Sequence, residues 1–99
     1  MDRLIEFSRR STIQLKKILT FYDERNGSDI YSKRLLKALL DELQRLAKYP
    51  TIGNPSTRTD IRFVYIMGYT IIYRYSPQKV TLLSIRSDAQ KPLKMYLKK

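Results

Sequence analysis

Residues 61–85 read IRFVYIMGYTIIYRYSPQKVTLLSI, and this stretch decides the fold. Its three runs, IRFVYIM (61–67), YTIIYRY (69–75) and KVTLLSI (79–85), are rich in the β-branched and aromatic side chains that fit a pleated surface. Gly68 separates the first two runs, and Ser76-Pro77-Gln78 separates the last two as a turn. The pattern predicts a three-stranded antiparallel meander. Alternation puts Ile61, Phe63, Tyr65 and Met67 on one face of its first strand, with Arg62, Val64 and Ile66 on the other. In the second strand Tyr69, Ile71, Tyr73 and Tyr75 oppose Thr70, Ile72 and Arg74. One face should pack on the rest of the chain, leaving the other as a partly exposed aromatic and basic surface.

Upstream, the period lengthens. Leu4, Ile5 and Phe7 suggest a short edge strand, and Ser8 behind them is a good helix N-cap. Leu15, Ile18, Leu19 and Tyr22 then stand at helical spacing, with Lys16, Lys17 and Asp23 on other faces, until Asn26-Gly27 supplies a C-terminal stop. Ser28 is expected to cap a second helix, with Asp29 in its first turn. The stripe Leu35, Leu36, Leu39, Leu40, Leu43, Leu46 and Ala47 marks the core side of that helix, and Pro50 ends it. Residues 50–59, PTIGNPSTRT, read as a loop. The expected architecture is α+β in two layers: an N-terminal strand, an α-helical hairpin, then the meander, all in one domain over residues 1–99.

Composition narrows the chemistry. Twenty Lys and Arg against nine Asp and Glu leave a net charge of +11 on 99 residues. From Ile61 onward Arg62, Arg74, Lys79, Arg86, Lys91, Lys94, Lys98 and Lys99 face one acid, Asp88. Such an excess favours a polyanionic partner: nucleic acid, an anionic membrane surface or an acidic protein. The absence of His and Cys excludes histidine bases, cysteine nucleophiles, disulfides and the usual zinc sites. Scattered carboxylates offer no Mg²⁺ or Ca²⁺ loop, so no metal or other cofactor is expected. No phosphate-cradling glycine motif is present, so a nucleotide cradle is not expected; the expected partners are macromolecules, with no small-molecule substrate. The apolar runs are too short to cross a bilayer and no signal-peptide pattern opens the chain, which makes the cytoplasm the expected compartment, without membrane partners.

The order of elements at this length, with FSRRSTIQLKKILTFYDERNGSDIYSKRLL across the helical hairpin, LAKYPTIGNPS after it and DIRFVYIMGYTIIYRY in the meander, resembles the RelE/ParE superfamily of bacterial toxins. The ParE-like plasmid-stabilisation branch is the nearer match. The resemblance implies the toxin of a type II toxin–antitoxin module, neutralised by a cognate, acidic, partly disordered antitoxin. It also implies one of two modes of action. A ParE-like toxin inhibits DNA gyrase; a RelE-like toxin is a ribosome-dependent, metal-independent mRNA endoribonuclease. A decayed toxin retaining only its antitoxin is the third alternative. The closing LLSIRSDAQKP (82–92) stands where such toxins carry an arginine-containing motif ending near proline; in register with Pro92, Ala89 occupies the place of that arginine.

Metal-free RNA cleavage at the 2′-hydroxyl needs a proton acceptor, cations on the crowded phosphate and a donor to the leaving oxygen. Without histidine, the candidates for those tasks are Arg62, Arg86, Tyr73 and Asp88. A target- or nucleic-acid-binding surface would draw on Arg62, Arg74, Arg86, Lys91, Lys94 and Tyr96. Arg62 also corresponds to an arginine common in this strand of the family; a salt bridge with Asp60 or a helix carboxylate is its alternative role.

Overall fold

The computed structural model describes residues 2–88. Strand β1 (Leu4–Phe7) leads into helices α1 (Arg9–Asn26) and α2 (Ile30–Lys48). A short 3₁₀ turn (Pro50–Ile52) follows, then β2 (Asn54–Pro55), β3 (Ile61–Ile66), β4 (Tyr69–Tyr75) and β5 (Lys79–Ser87). The strands form one sheet in the order β1-β5-β4-β3-β2. The expected meander is its antiparallel centre, and β1 closes one edge by pairing parallel to β5, Ile5 against Val80 and Phe7 against Leu82. The helical hairpin forms the second layer, so the two-layer α+β architecture is the one expected.

The helix ends follow from local chemistry. Ser8 caps α1: its Oγ accepts the Ser11 N–H at 3.1 Å, satisfying one of the donors a helix start leaves free. Gly27 closes α1 with φ of 67°, the left-handed conformation glycine adopts without a Cβ clash. The second cap differs from expectation. Asp29, not Ser28, is the N-cap residue of α2, and it makes no side-chain capping bond. Its carboxylate instead pairs with Lys33 one turn on, at 3.0 Å, while Ser32 Oγ donates to Asp23 of α1 and ties the two helices together.

The main core lies between α2 and the sheet. Leu39, Leu43, Leu46 and Ala47 meet Val64, Ile71, Tyr73, Val80, Leu82 and Ile85, with Leu15 and Ile18 of α1 packed at the margin. The leucine stripe is thus core, as its spacing predicts, except that Leu36 is half-buried and Leu40 stays 39% exposed. The far face of the sheet is less open than expected: Ile61, Phe63 and Ile72 form a second small apolar cluster there, with Leu83 beside it. Strand β2 is an addition. Two residues with a proline carry no readable strand pattern, and a proline is tolerated only because β2 is an edge.

Between β4 and β5 the register slips. Tyr73 pairs with Leu82 but Ile72 pairs with Ser84, leaving Leu83 as the extra residue of a β-bulge. The slip occurs where β1 ends and α1 begins. There the Ser8 N–H donates to the Leu82 carbonyl at 2.9 Å, and Ser8 Oγ lies 3.0 Å from the Leu83 carbonyl. One turn further along, the Gln14 side-chain oxygen accepts the Ile85 N–H at 2.8 Å. The start of α1 therefore takes over from β1 as the partner of β5.

Removing the Ser8 hydroxyl should leave a helix donor and a strand carbonyl without partners. Ser8→Ala is expected to cost about 1–2 kcal/mol. Thermal unfolding checks this; an unchanged Tm would show that the junction does not hold α1 on the sheet.

Candidate target-binding face

The register assigns each predicted site residue to a face of the sheet. Arg62 pairs with Tyr73, and both share the helix-side face with Val64, Ile71 and Leu82. Beyond the bulge, Ile71 pairs with Ile85 and Thr70 with Arg86, so Ile85 takes the helix side and Arg86 the far side. Arg74 is exposed on that far face as well. Arg74 and Thr70 are four residues apart along β4, which separates the rows of Arg74 and Arg86 by about 13 Å. The three arginines are not brought together.

Each end of the far face has its own composition. At the β3–β4 hairpin, Tyr65, Thr70 and Arg86 form one row across β3, β4 and β5. Tyr65 is 62% exposed. Thr70 Oγ1 donates to the Asp88 carboxylate at 2.8 Å, while the Asp88 N–H donates to the Gly68 carbonyl at 2.9 Å. Asp88 thus fastens the end of β5 to the hairpin. That hairpin turns through Met67 (φ 48°) and Gly68 (φ 85°), the positive-φ pair of a tight two-residue loop. At the opposite end, Arg74 joins Arg10 and Arg58 around a cleft of about 260 Å³ lined by Ile61, Leu83 and Ser84. Sequence reasoning passed over Arg10 and Arg58. The available signal was an arginine pair, Arg9-Arg10, at a helix start, where cations are unfavourable.

On the helix side, Tyr73 is fully buried, and its hydroxyl donates to the Pro50 carbonyl at 2.5 Å. Burial pushes its phenol up to about 12, against the opposing pull of a Gly53 backbone hydrogen bond and the Arg62 charge. A phenol held protonated inside the core is a structural clamp and has no route to a substrate proton. Gly53 is part of the clamp, because a Cβ there would meet the Tyr73 oxygen at 2.2 Å. Arg62 Nη1 donates to the Gly53 carbonyl at 2.9 Å, while its Nε is buried with no hydrogen-bond partner among the described residues. The salt bridge considered for Arg62 does not form with Asp60, which pairs with Arg58 at 3.2 Å. Tyr69 is also raised, first by burial and then by its hydrogen bond to the Tyr22 hydroxyl. Ala89, Lys91, Lys94 and Tyr96 lie outside the described residues.

Among the described residues, no group of acidic, His or Cys side chains is placed to hold a metal ion, and no helix is long and apolar enough to cross a membrane. The family model of the ParE toxin of the type II toxin–antitoxin system, parDE, matches residues 5–92. A solved chain of the chromosomal ParDE system from P. aeruginosa is similar with a TM-score of 0.71 at 15% identity, covering 86% of this chain and 95% of that one. A chain of the E. coli DinJ-YafQ toxin–antitoxin complex gives 0.50 at 15% identity, over 90% of this chain and 96% of that one. At such identities the two likenesses show a shared fold. Compared by sequence with curated proteins, the chain has no match.

The Tyr73 clamp makes stability sensitive to alkali. Its folded value lies above the ordinary phenol value of about 10, so its contribution is complete below that pH and is lost as pH rises towards about 12. Tyr73→Phe should cost about 1–3 kcal/mol at pH 7, from the unpaired Pro50 carbonyl, and should flatten the alkaline decline of Tm. Tyr69, also raised, keeps part of that decline. Equal alkaline slopes in the two proteins would show that Tyr73 is not the titrating clamp.

Proposed function

The chain belongs to the family of ParE toxins of type II toxin–antitoxin systems, and on that premise we propose that it acts in the cytoplasm by binding and inhibiting a cellular target such as DNA gyrase. A cognate antitoxin holds it inactive. The observation carrying the choice of binding over cleavage is the division of the candidate residues between the two faces. RNA cleavage without a metal requires base, cation and leaving-group donor within hydrogen-bond reach of one phosphate. Arg62 and Tyr73 lie on the helix side, Arg86 and Asp88 on the far side, so these four do not converge. Tyr73 is fully buried with its hydroxyl bound to the Pro50 carbonyl, which argues against proton transfer by that phenol, while Asp88 accepts a hydrogen bond from Thr70 at the hairpin.

What the far face offers is a recognition surface. The row of Tyr65, Thr70 and Arg86 sets an exposed ring in line with a half-buried guanidinium, a combination suited to contact with a large partner. The net charge of +11 favours capture of a partner that is itself acidic or bound to nucleic acid.

Purified protein added in excess to gyrase should abolish supercoiling, while transcripts in a translation reaction stay intact. Tyr65→Ala with Arg86→Ala should weaken inhibition by about tenfold or more without loss of fold. Normal supercoiling by saturated gyrase would exclude this target. Ribosome-dependent transcript cleavage, abolished by Arg86→Ala, would establish the RelE-like alternative. Growth unaffected by strong expression would point to a decayed toxin.

A further inference from the structure

The cleft between Arg10, Arg58 and Arg74 lies apart from the Tyr65–Thr70–Arg86 row proposed for the target, although Arg74 was expected in a target-binding surface. It lies at the other end of the far face from Tyr65 and Arg86, with guanidinium groups around aliphatic side chains. Arg74 projects from the sheet, Arg58 from the loop before β3, and Arg10 from the first turn of α1. That turn contains no acidic residue, so the positive end of the helix dipole adds to the Arg10 charge. Two carboxylates offset part of the field. Asp60 pairs with Arg58 at 3.2 Å, and Glu6, held below the ordinary carboxylate range first by its hydrogen bond to Lys79, also feels Arg74. Arg10 forms no ion pair with a described residue. The neighbouring hydroxyls are engaged: Ser8 caps α1, and Ser84 Oγ donates to Gln14 at 3.3 Å.

Size and lining identify the occupant. At about 260 Å³ the open cleft has room for one or two side chains of a docked segment. Ile61 and Leu83 favour an aliphatic group, and the rim favours a carboxylate. A nucleotide would find no aromatic ring to stack on among the described lining residues. We infer that this cleft docks an acidic segment of the antitoxin, with a carboxylate between Arg10 and Arg74 and an aliphatic side chain against Leu83. The inference rests on the reading that a cognate antitoxin restrains the chain. It places that restraint at a site separate from the target-binding row.

Fluorescence anisotropy with the full-length protein tests it, using a labelled dodecapeptide alternating Glu with Leu, a Glu/Ser counterpart and an RNA dodecamer. The Glu/Leu peptide should bind wild type about tenfold more tightly than the Glu/Ser peptide, and Arg10→Gln with Arg74→Gln should weaken it about tenfold. A control pair on exposed α2 positions, Arg34→Gln with Lys37→Gln, should leave binding unchanged. Circular dichroism confirms that the variants fold. Equal weakening by both pairs would reduce the effect to net charge and overturn the site. RNA binding more tightly than either peptide, and lost in the cleft pair, would overturn it in favour of nucleic acid. The product of the adjacent reading frame is titrated in parallel. If it binds wild type and the cleft pair equally, the cleft assignment fails while the toxin–antitoxin reading stands. If it binds neither, the cleft as an antitoxin site fails together with that pairing.

Discussion

The junction at Ser8 controls how the two layers meet. A strand that loses its neighbour exposes carbonyls and N–H groups that must be satisfied by something else. Strand β5 loses β1 at Leu82, and Ser8 supplies both its N–H and its hydroxyl at that point while starting α1. Gln14 continues the substitution by accepting from Ile85. The helix is thereby fixed along the sheet edge through polar contacts, consistent with its sole fully buried side chain being Ser11. The Leu83 bulge sits at the same junction and reverses the faces of everything beyond it.

At the centre of the sheet β4 is buried on both sides, Ile71 and Tyr73 against the helices and Ile72 in the smaller far-side cluster. A phenol in such a place must keep its hydroxyl paired, and Tyr73 does so through the turn after α2. Pro50, Gly53 and Arg62 are drawn into one arrangement around it. Side chains that look chemically able in the sequence are thus used to join α2 to the sheet.

The basic charge remains available because so little of it is neutralised internally. The five ion pairs among the described residues are exposed or partly so, and each contributes little to stability. Cations on the far face stand at two separate ends, one beside an exposed tyrosine and one around an aliphatic cleft.

The meander, the Ser8 cap, the Gly27 stop and the α2 leucine face were all legible in the sequence, because each is set by interactions within a few residues. The shift of the second cap to Asp29 and the two-residue β2 were not, since neither carries a distinctive local pattern. The candidate site was legible as a set of residue types but not as an arrangement. Unbroken alternation from Val80 would place Arg86 on the helix side, the same face as Arg62. The bulge adds one residue, and with a side-chain period of two it sends Arg86 to the opposite face. Likewise Arg10 and Arg74, 64 positions apart in sequence, meet only because α1 starts where β1 ends. The sequence by itself determined the main helices and strands, the charge and the family. Tertiary pairing decided which charges stand together, because a strand's register depends on its neighbours.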